Sequence, residues 1–137
     1  MFLLDTNVVS ALRRPALAPA AAAWAAGVPV SDLYISAMSV YELELGVCRM
    51  EKRDAGQGAV LRSWLDHRVR LHFRDRILAI DDAVATRCAM LHIPDPRAER
   101  DSFIAATALV HRLVLVTRNA RDFAGAGIEI FNPWDVA

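Results

Sequence analysis

Four acids, Asp5, Glu42, Asp101 and Asp122, stand where an α/β chain would place reactive groups. Asp5 ends the apolar run Phe2-Leu3-Leu4 and is followed by Thr6 and Asn7. Glu42 lies just past Leu33-Tyr34-Ile35-Ser36, and Asp101 opens the small-residue run Ser102 to Ala108. Asp122 follows Leu113-Val114-Leu115-Val116-Thr117. Carboxylates brought together repel and raise one another's pKa unless a cation sits among them. Oxygen-only ligands select a hard ion, Mg²⁺ or Mn²⁺, rather than zinc. One or two such ions would lower the pKa of a bound water and neutralise a scissile phosphate. Each acid also has an ordinary structural reading. Asp5 could cap a helix, and Glu42 could be the third-position acid of a capping box begun by Ser39. Asp101 could be a favourable charge at a helix start, and Asp122 a turn residue.

For the acids to converge, they must lie at one edge of a parallel sheet, where ligands bind in open α/β folds. The apolar patterning predicts strands over Phe2–Leu4, Leu33–Ser36, Arg76–Ile80, Leu113–Thr117 and Ile128–Ile130. Helices are expected over Val8–Arg14, Pro19–Ala26, Val40–Arg53 with Ser39 as N-cap, a stretch carrying Val60 to Val69, Asp82–His92, and Glu99–Arg112. Asp54-Ala55-Gly56-Gln57-Gly58 reads as a break, and Pro94-Asp95-Pro96 as a turn. Strands alternating with helices predict a central, mainly parallel sheet covered on both faces, with residues 1–137 as a single domain.

Composition bounds the rest. A hydrophobic fraction of 55% excludes a disordered chain. The formal net charge is zero, so bulk electrostatics select no partner. Of 16 Lys+Arg only Lys52 is lysine, which suits phosphate contact but reads as a codon bias toward Ala and Arg. Cys48 and Cys88 share no CxxC or zinc spacing and are expected to be small core residues in a reducing, cytoplasmic setting. The Ala-rich run Pro15 to Val30 is shorter than the ~20 residues a membrane span needs. It reads as a packed helix, not a signal or membrane segment.

Leu3-Leu4-Asp5-Thr6-Asn7, Ser39-Val40-Tyr41-Glu42-Leu43-Glu44-Leu45-Gly46, Asp101-Ser102-Phe103-Ile104-Ala105-Ala106-Thr107-Ala108 and Val116-Thr117-Arg118-Asn119-Ala120-Arg121-Asp122-Phe123 resemble, in order and spacing, the motifs of PIN-domain nucleases. Among these the chain is most similar to VapC-type toxins of bacterial toxin–antitoxin pairs, including the FitB-like branch, whose ending Gly127-Ile128-Glu129-Ile130-Phe131-Asn132-Pro133-Trp134 resembles. The resemblance implies a three-layer α/β/α PIN-like sandwich and a metal-dependent endoribonuclease leaving a 5′-phosphate and a 3′-hydroxyl. It makes Asp5, Glu42, Asp101 and Asp122 the catalytic and metal-holding quartet, with Thr6 and Asn119 as polar supports. It further implies a homodimer, an RNA substrate, and an antitoxin whose tail enters the active-site groove. Asp95 and Glu99 lie close enough in sequence to compete with Asp101 for its role.

Arg118 and Arg121 flank Asn119. They are expected to contact RNA phosphates, the alternative being ion pairs with Asp122 and other acids. His67, His72, His92 and His111 share no motif, which argues against a metal-free, two-histidine mechanism. A HAD-type phosphatase would need a second acid where Asn7 stands, and a nucleotide binder would need GxGxxG or a P-loop, absent here. A catalytically inactive module that serves as co-repressor with an antitoxin is the non-enzyme alternative. Trp24 and Trp64 are expected to pack, not to stack on bases.

Overall fold

A computed structural model describes residues 1–135. Its sheet has five strands in the order β3-β2-β1-β4-β5: β1 (Phe2–Leu4), β2 (Leu33–Ser36), β3 (Ile77–Leu78), β4 (Val114–Val116) and β5 (Ile130–Phe131). Every pairing is parallel, with Phe2 against Leu33 on one side and Val114 on the other. All carboxyl ends therefore point one way. The predicted α/β/α sandwich is the observed fold.

Strand alternation builds the two cores. Leu4 and Val116 face one side, joining Val8 and Val9 of α1 (Thr6–Leu12) and Leu43 and Val47 of α3 (Ala37–Arg53). Leu3 and Leu115 face the other, against Ile104, Ala105 and Ala108 of α7 (Glu99–His111). Burial of the central strands on both faces explains their unbroken apolar runs. Trp24 of α2 (Pro19–Ala26) packs edge-on to Phe2, 5.2 Å between centroids, and against Phe131, as expected of a packing residue. Among the described residues no helix is long and apolar enough to cross a membrane.

Several boundaries differ from the sequence expectation. Helix α3 begins at Ala37, because the Ser36 hydroxyl accepts from the Met38 amide at 3.0 Å; Ser36, not Ser39, is the N-cap. The expected break at Asp54–Gly58 shrinks to Asp54 alone, whose carboxylate accepts from the Gln57 amide and starts α4 (Ala55–Trp64). The chain continues through a π turn (Leu65–Val69) into the short α5 (Arg70–His72). Strand β3 is shorter than predicted, and β5 starts at Ile130 because Glu129 and Phe131 offer their carbonyls to the Leu115 and Thr117 amides. Cys88 lies buried on α6 (Asp82–Leu91), but Cys48 is exposed beside Glu44 and Arg62, contrary to expectation.

Gly58 lies inside α4 because α3 and α4 approach backbone to backbone there. A Cβ at Gly58 would stand 2.4 Å from Glu51 Cα. Arg62 then spans the same two helices, pairing with Glu44 at 2.9 Å and Glu51 at 3.0 Å. Gly58→Ala is expected to destabilise the fold by about 1–3 kcal/mol despite alanine's better helix propensity, since backbone must move. Urea unfolding with an unchanged slope checks it; a gain in stability would contradict the close packing.

Candidate active site

The chain order explains how each acid reaches the sheet's carboxyl edge. Asp5 leaves β1 with its amide still donating to the Val116 carbonyl at 2.8 Å. Its Oδ1 accepts from the Thr6 amide at 2.8 Å, so it caps α1. Its Oδ2 accepts from the Thr117 hydroxyl, also at 2.8 Å. The cap reading of Asp5 holds, and it leaves both oxygens fixed: one starts the helix, and the other is held by Thr117. Only 6% of Asp5 is exposed. Burial pushes its carboxyl above the ordinary value, the Thr117 and Thr6 bonds pull it down, and the charges of Glu42 and Asp122 push it up further.

Glu42 is freed from capping because α3 starts early. It sits in the helix body, where its Oε1 lies 2.7 Å from the Thr6 hydroxyl. The same hydroxyl is 2.9 Å from Oγ of the fully buried Ser39. Thr6 carries one proton, which the carboxylate takes; the Ser39 hydroxyl then donates to Thr6. Thr6 thereby bridges β1's end to α3. Across the site, Arg100 Nη1 stands 3.8 Å from Glu42 Oε2.

Asp101 lies in the first turn of α7, whose N-cap, Ala98, offers no side-chain bond. Its carboxyl is pushed up to about 6, first by burial and then by the charges of Asp5, Asp122 and Glu42. Asp5 and Asp101 thus lie within electrostatic range of each other and of both Glu42 and Asp122. Asp101 and Asp122 also line one small cleft with Arg97 and Ser102. Glu99, a competitor by sequence, lies close enough to Cys88 of α6 for its charge to add to burial in raising that thiol, and Asp95 lines a loop pocket with Ile93 and Pro94. As arranged here, no three acidic, histidine or cysteine side chains among the described residues close around a single ion position. The acids ring a shared region and do not form a finished cage.

Asn119 contributes through its backbone: its amide donates to Thr117 Oγ1 at 3.0 Å, and its carbonyl accepts from the Asp122 amide. Arg118 lies with its guanidinium 5.1 Å over the Trp134 ring, and Asn132 donates to its carbonyl. Neither Arg118 nor Arg121 makes an ion pair among the described residues, so the network alternative has no support here. His92 is structural, its Nδ1 accepting from the Arg97 amide.

Thr117 and Arg100 have no role assigned from the sequence, and Ser39 only that of an N-cap. Thr117 carried the same signal as Asp5, a polar residue at the carboxyl end of a buried strand. Thr117→Val keeps the shape but strips a donor from Asp5 and an acceptor from Asn119. It is expected to cost about 1–3 kcal/mol of stability. Because Thr117 is the largest influence lowering the Asp5 pKa, the variant should also move Asp5's titration to higher pH. Carboxyl-carbon NMR titration reads this directly, and an unmoved Asp5 would contradict its role.

A parallel sheet covered on both faces, with Asp5 and Asp101 both under the charges of Glu42 and Asp122, defines an α/β/α domain with an acidic region at one side. The chain belongs to the PIN domain family, whose model matches residues 2–128. Toxin FitB of Neisseria gonorrhoeae is 36% identical, over 98% of this chain and 99% of that protein. VapC ribonuclease Y4jK of Sinorhizobium fredii is 32% identical over all of both chains. The crystal structure of FitAcB from Neisseria gonorrhoeae matches with a TM-score of 0.90 at 35% identity, covering 99% of this chain and 100% of that one. A toxin–antitoxin complex from Klebsiella pneumoniae matches at 0.71 and 26% identity, with 99% and 100% coverage.

Proposed function

We infer that this chain is the toxin of a toxin–antitoxin pair and an endoribonuclease that hydrolyses RNA phosphodiester bonds with Mg²⁺ or Mn²⁺. The observation that supports the reading is that Asp5 and Asp101 each lie within reach of the charges of Glu42 and Asp122, in a chain whose full-length relatives are named toxin and ribonuclease. The donor set is all oxygen, which fits a hard divalent ion. Burial first, and then the charges of the neighbouring acids, raise the Asp5 and Asp101 carboxyls, and a bound cation would offset both costs. Asp5 and Asp101 would be its principal holders, with Glu42 and Asp122 as further ligands, direct or through water. When bound, the ion neutralises charge at the scissile phosphate and makes water a stronger acid.

The chain's own residues do the positioning. Thr117 and the Thr6 amide fix both oxygens of Asp5, and Thr6 with Ser39 fixes Glu42. Arg118 and Arg121, exposed and free of ion pairs among the described residues, are available to RNA phosphates. A homodimer neutralised by an antitoxin tail in the groove completes the reading. The inactive co-repressor alternative is disfavoured, since a chain that had lost chemistry would have no reason to keep all four acids, of which Asp5 is buried, Glu42 and Asp101 half-buried and Asp122 exposed. The test is a cleavage map of total RNA by the purified, antitoxin-free protein with Mg²⁺ or Mn²⁺. Discrete cuts that disappear with chelator and in folded Asp5→Asn support it. Cuts that persist in both would overturn it.

A further inference from the structure

Two chain neighbours of the site acids meet at its rim. Tyr41 precedes Glu42 on α3, and Arg100 precedes Asp101 on α7. The Arg100 guanidinium carbon lies 5.3 Å over the Tyr41 ring, and its Nη1 lies 3.8 Å from Glu42 Oε2. Tyr41 is 51% exposed although its ring is large and apolar. The Arg100 side chain is 47% exposed, against 23% for Glu42, so the cation lies on the outer side of the acid. An exposed aromatic beside a planar cation, at the edge of a carboxylate site, matches what single-stranded RNA requires. Bases stack on aromatic rings and guanidinium planes, and phosphates pair with arginine.

We propose that Tyr41 and Arg100 form a nucleotide-binding shelf that seats single-stranded RNA next to the acid site. The proposal deepens the ribonuclease reading and rests on it. In the free protein Arg100 serves as counter-ion to Glu42. A weak 3.8 Å pairing at an exposed position is easily exchanged. When RNA arrives, the guanidinium turns to a phosphate beside the scissile bond, which leaves Glu42 free for the divalent ion. Tyr41 carries a neighbouring base on its exposed ring. Stacking accepts any base, so the shelf supplies affinity and register, not sequence choice. No bond is made or broken by either residue.

The test is binding of a fluorescent, unstructured oligoribonucleotide in chelator, where cleavage is absent, followed by anisotropy across a salt series. Tyr41→Ala is expected to weaken binding by about tenfold, and Tyr41→Phe to retain it, since stacking needs the ring and not the hydroxyl. Arg100→Gln should weaken binding and lower the slope of log affinity against log salt by about one phosphate contact. Arg100→Lys keeps a charge for Glu42 but loses the planar stack, so it should recover the salt slope with only part of the affinity. Two results overturn the shelf: unchanged affinity and slope in folded Tyr41→Ala and Arg100→Gln, or a Tyr41→Ala that turns a dimer into monomers in sedimentation while RNA binding per chain holds. The first, with cleavage by the parent protein intact, removes the shelf and leaves the nuclease reading standing. A parent protein that neither binds nor cleaves RNA removes both.

Discussion

Asp101→Asn is expected to reduce RNA cleavage by about 1000-fold, well beyond the 10–100-fold typical of a residue that only orients a ligand. The same variant should make the metal-free protein more stable near neutral pH. The two effects share one cause. Burial and three neighbouring acids hold the Asp101 carboxyl at about 6 in the fold, above its ordinary 3.8. A carboxyl with a raised pKa binds more protons folded than unfolded between those values. Its contribution to stability is therefore fully present below the unfolded value and is lost as pH rises through about 6. At about pH 7.5 the folded state carries the full penalty of the charge, and Asn removes it; at about pH 4 the acid is protonated in the fold and Asn should change little. Thermal melts of both proteins in chelator, at the two pH values, check the stability half, and single-turnover cleavage checks the other. A variant that cleaves normally sinks the assignment of Asp101. One that is less stable at neutral pH shows that Asp101 is a structural partner and not a charge kept for function.

This opposition also explains what could be read from the sequence. The layer order, the parallel sheet and the placement of Asp5 followed from where apolar runs stop, because burial on both faces leaves unbroken hydrophobic strands. That the acids can share one edge followed from parallel strands having all carboxyl ends on one side. Errors came where two local rules compete. Ser39 and Glu42 fit a capping box, but β2 runs directly into α3 and Ser36 takes the cap, which leaves Ser39 buried and Glu42 free for the site. Gly56 and Gly58 read as breakers, yet Gly58 is inside a helix because a neighbouring backbone occupies the space a side chain would need. Thr117 carried a local signal, a polar residue ending a buried strand, but its pairing with Asp5, like that of Arg100 with Glu42, joins residues far apart in sequence, and no local pattern marks such a pairing.

The second large effect is on metal binding. In the wild-type protein, a divalent ion should raise the melting temperature at about pH 7.5, and the rise should fade below about pH 6. With the ion at ten times its dissociation constant, mass action gives about 1.4 kcal/mol, or about 3–6 °C for a domain of this size. Protons compete for the same oxygens. One unit below its pKa only about one in eleven Asp101 carboxyls is ionised, so affinity should drop roughly tenfold between about pH 7 and pH 5 from that group alone. Asp5, raised by burial and by Glu42 and Asp122, acts in the same direction. Calorimetric titration with Mn²⁺ across this range measures it, and proton release from Asp101 on binding should be about half a proton near pH 6 and should grow as pH falls toward 5. Asp101→Asn separates this competition from general acid weakening of the fold. It should bind the ion more weakly at neutral pH and lose most of the pH dependence. Equal affinity at both pH values in the parent protein would mean that the coupled acids are not the ligands. A raised melting temperature in Asp101→Asn without ion, together with a lost response to ion, would show that the site exchanges stability for a cation's place.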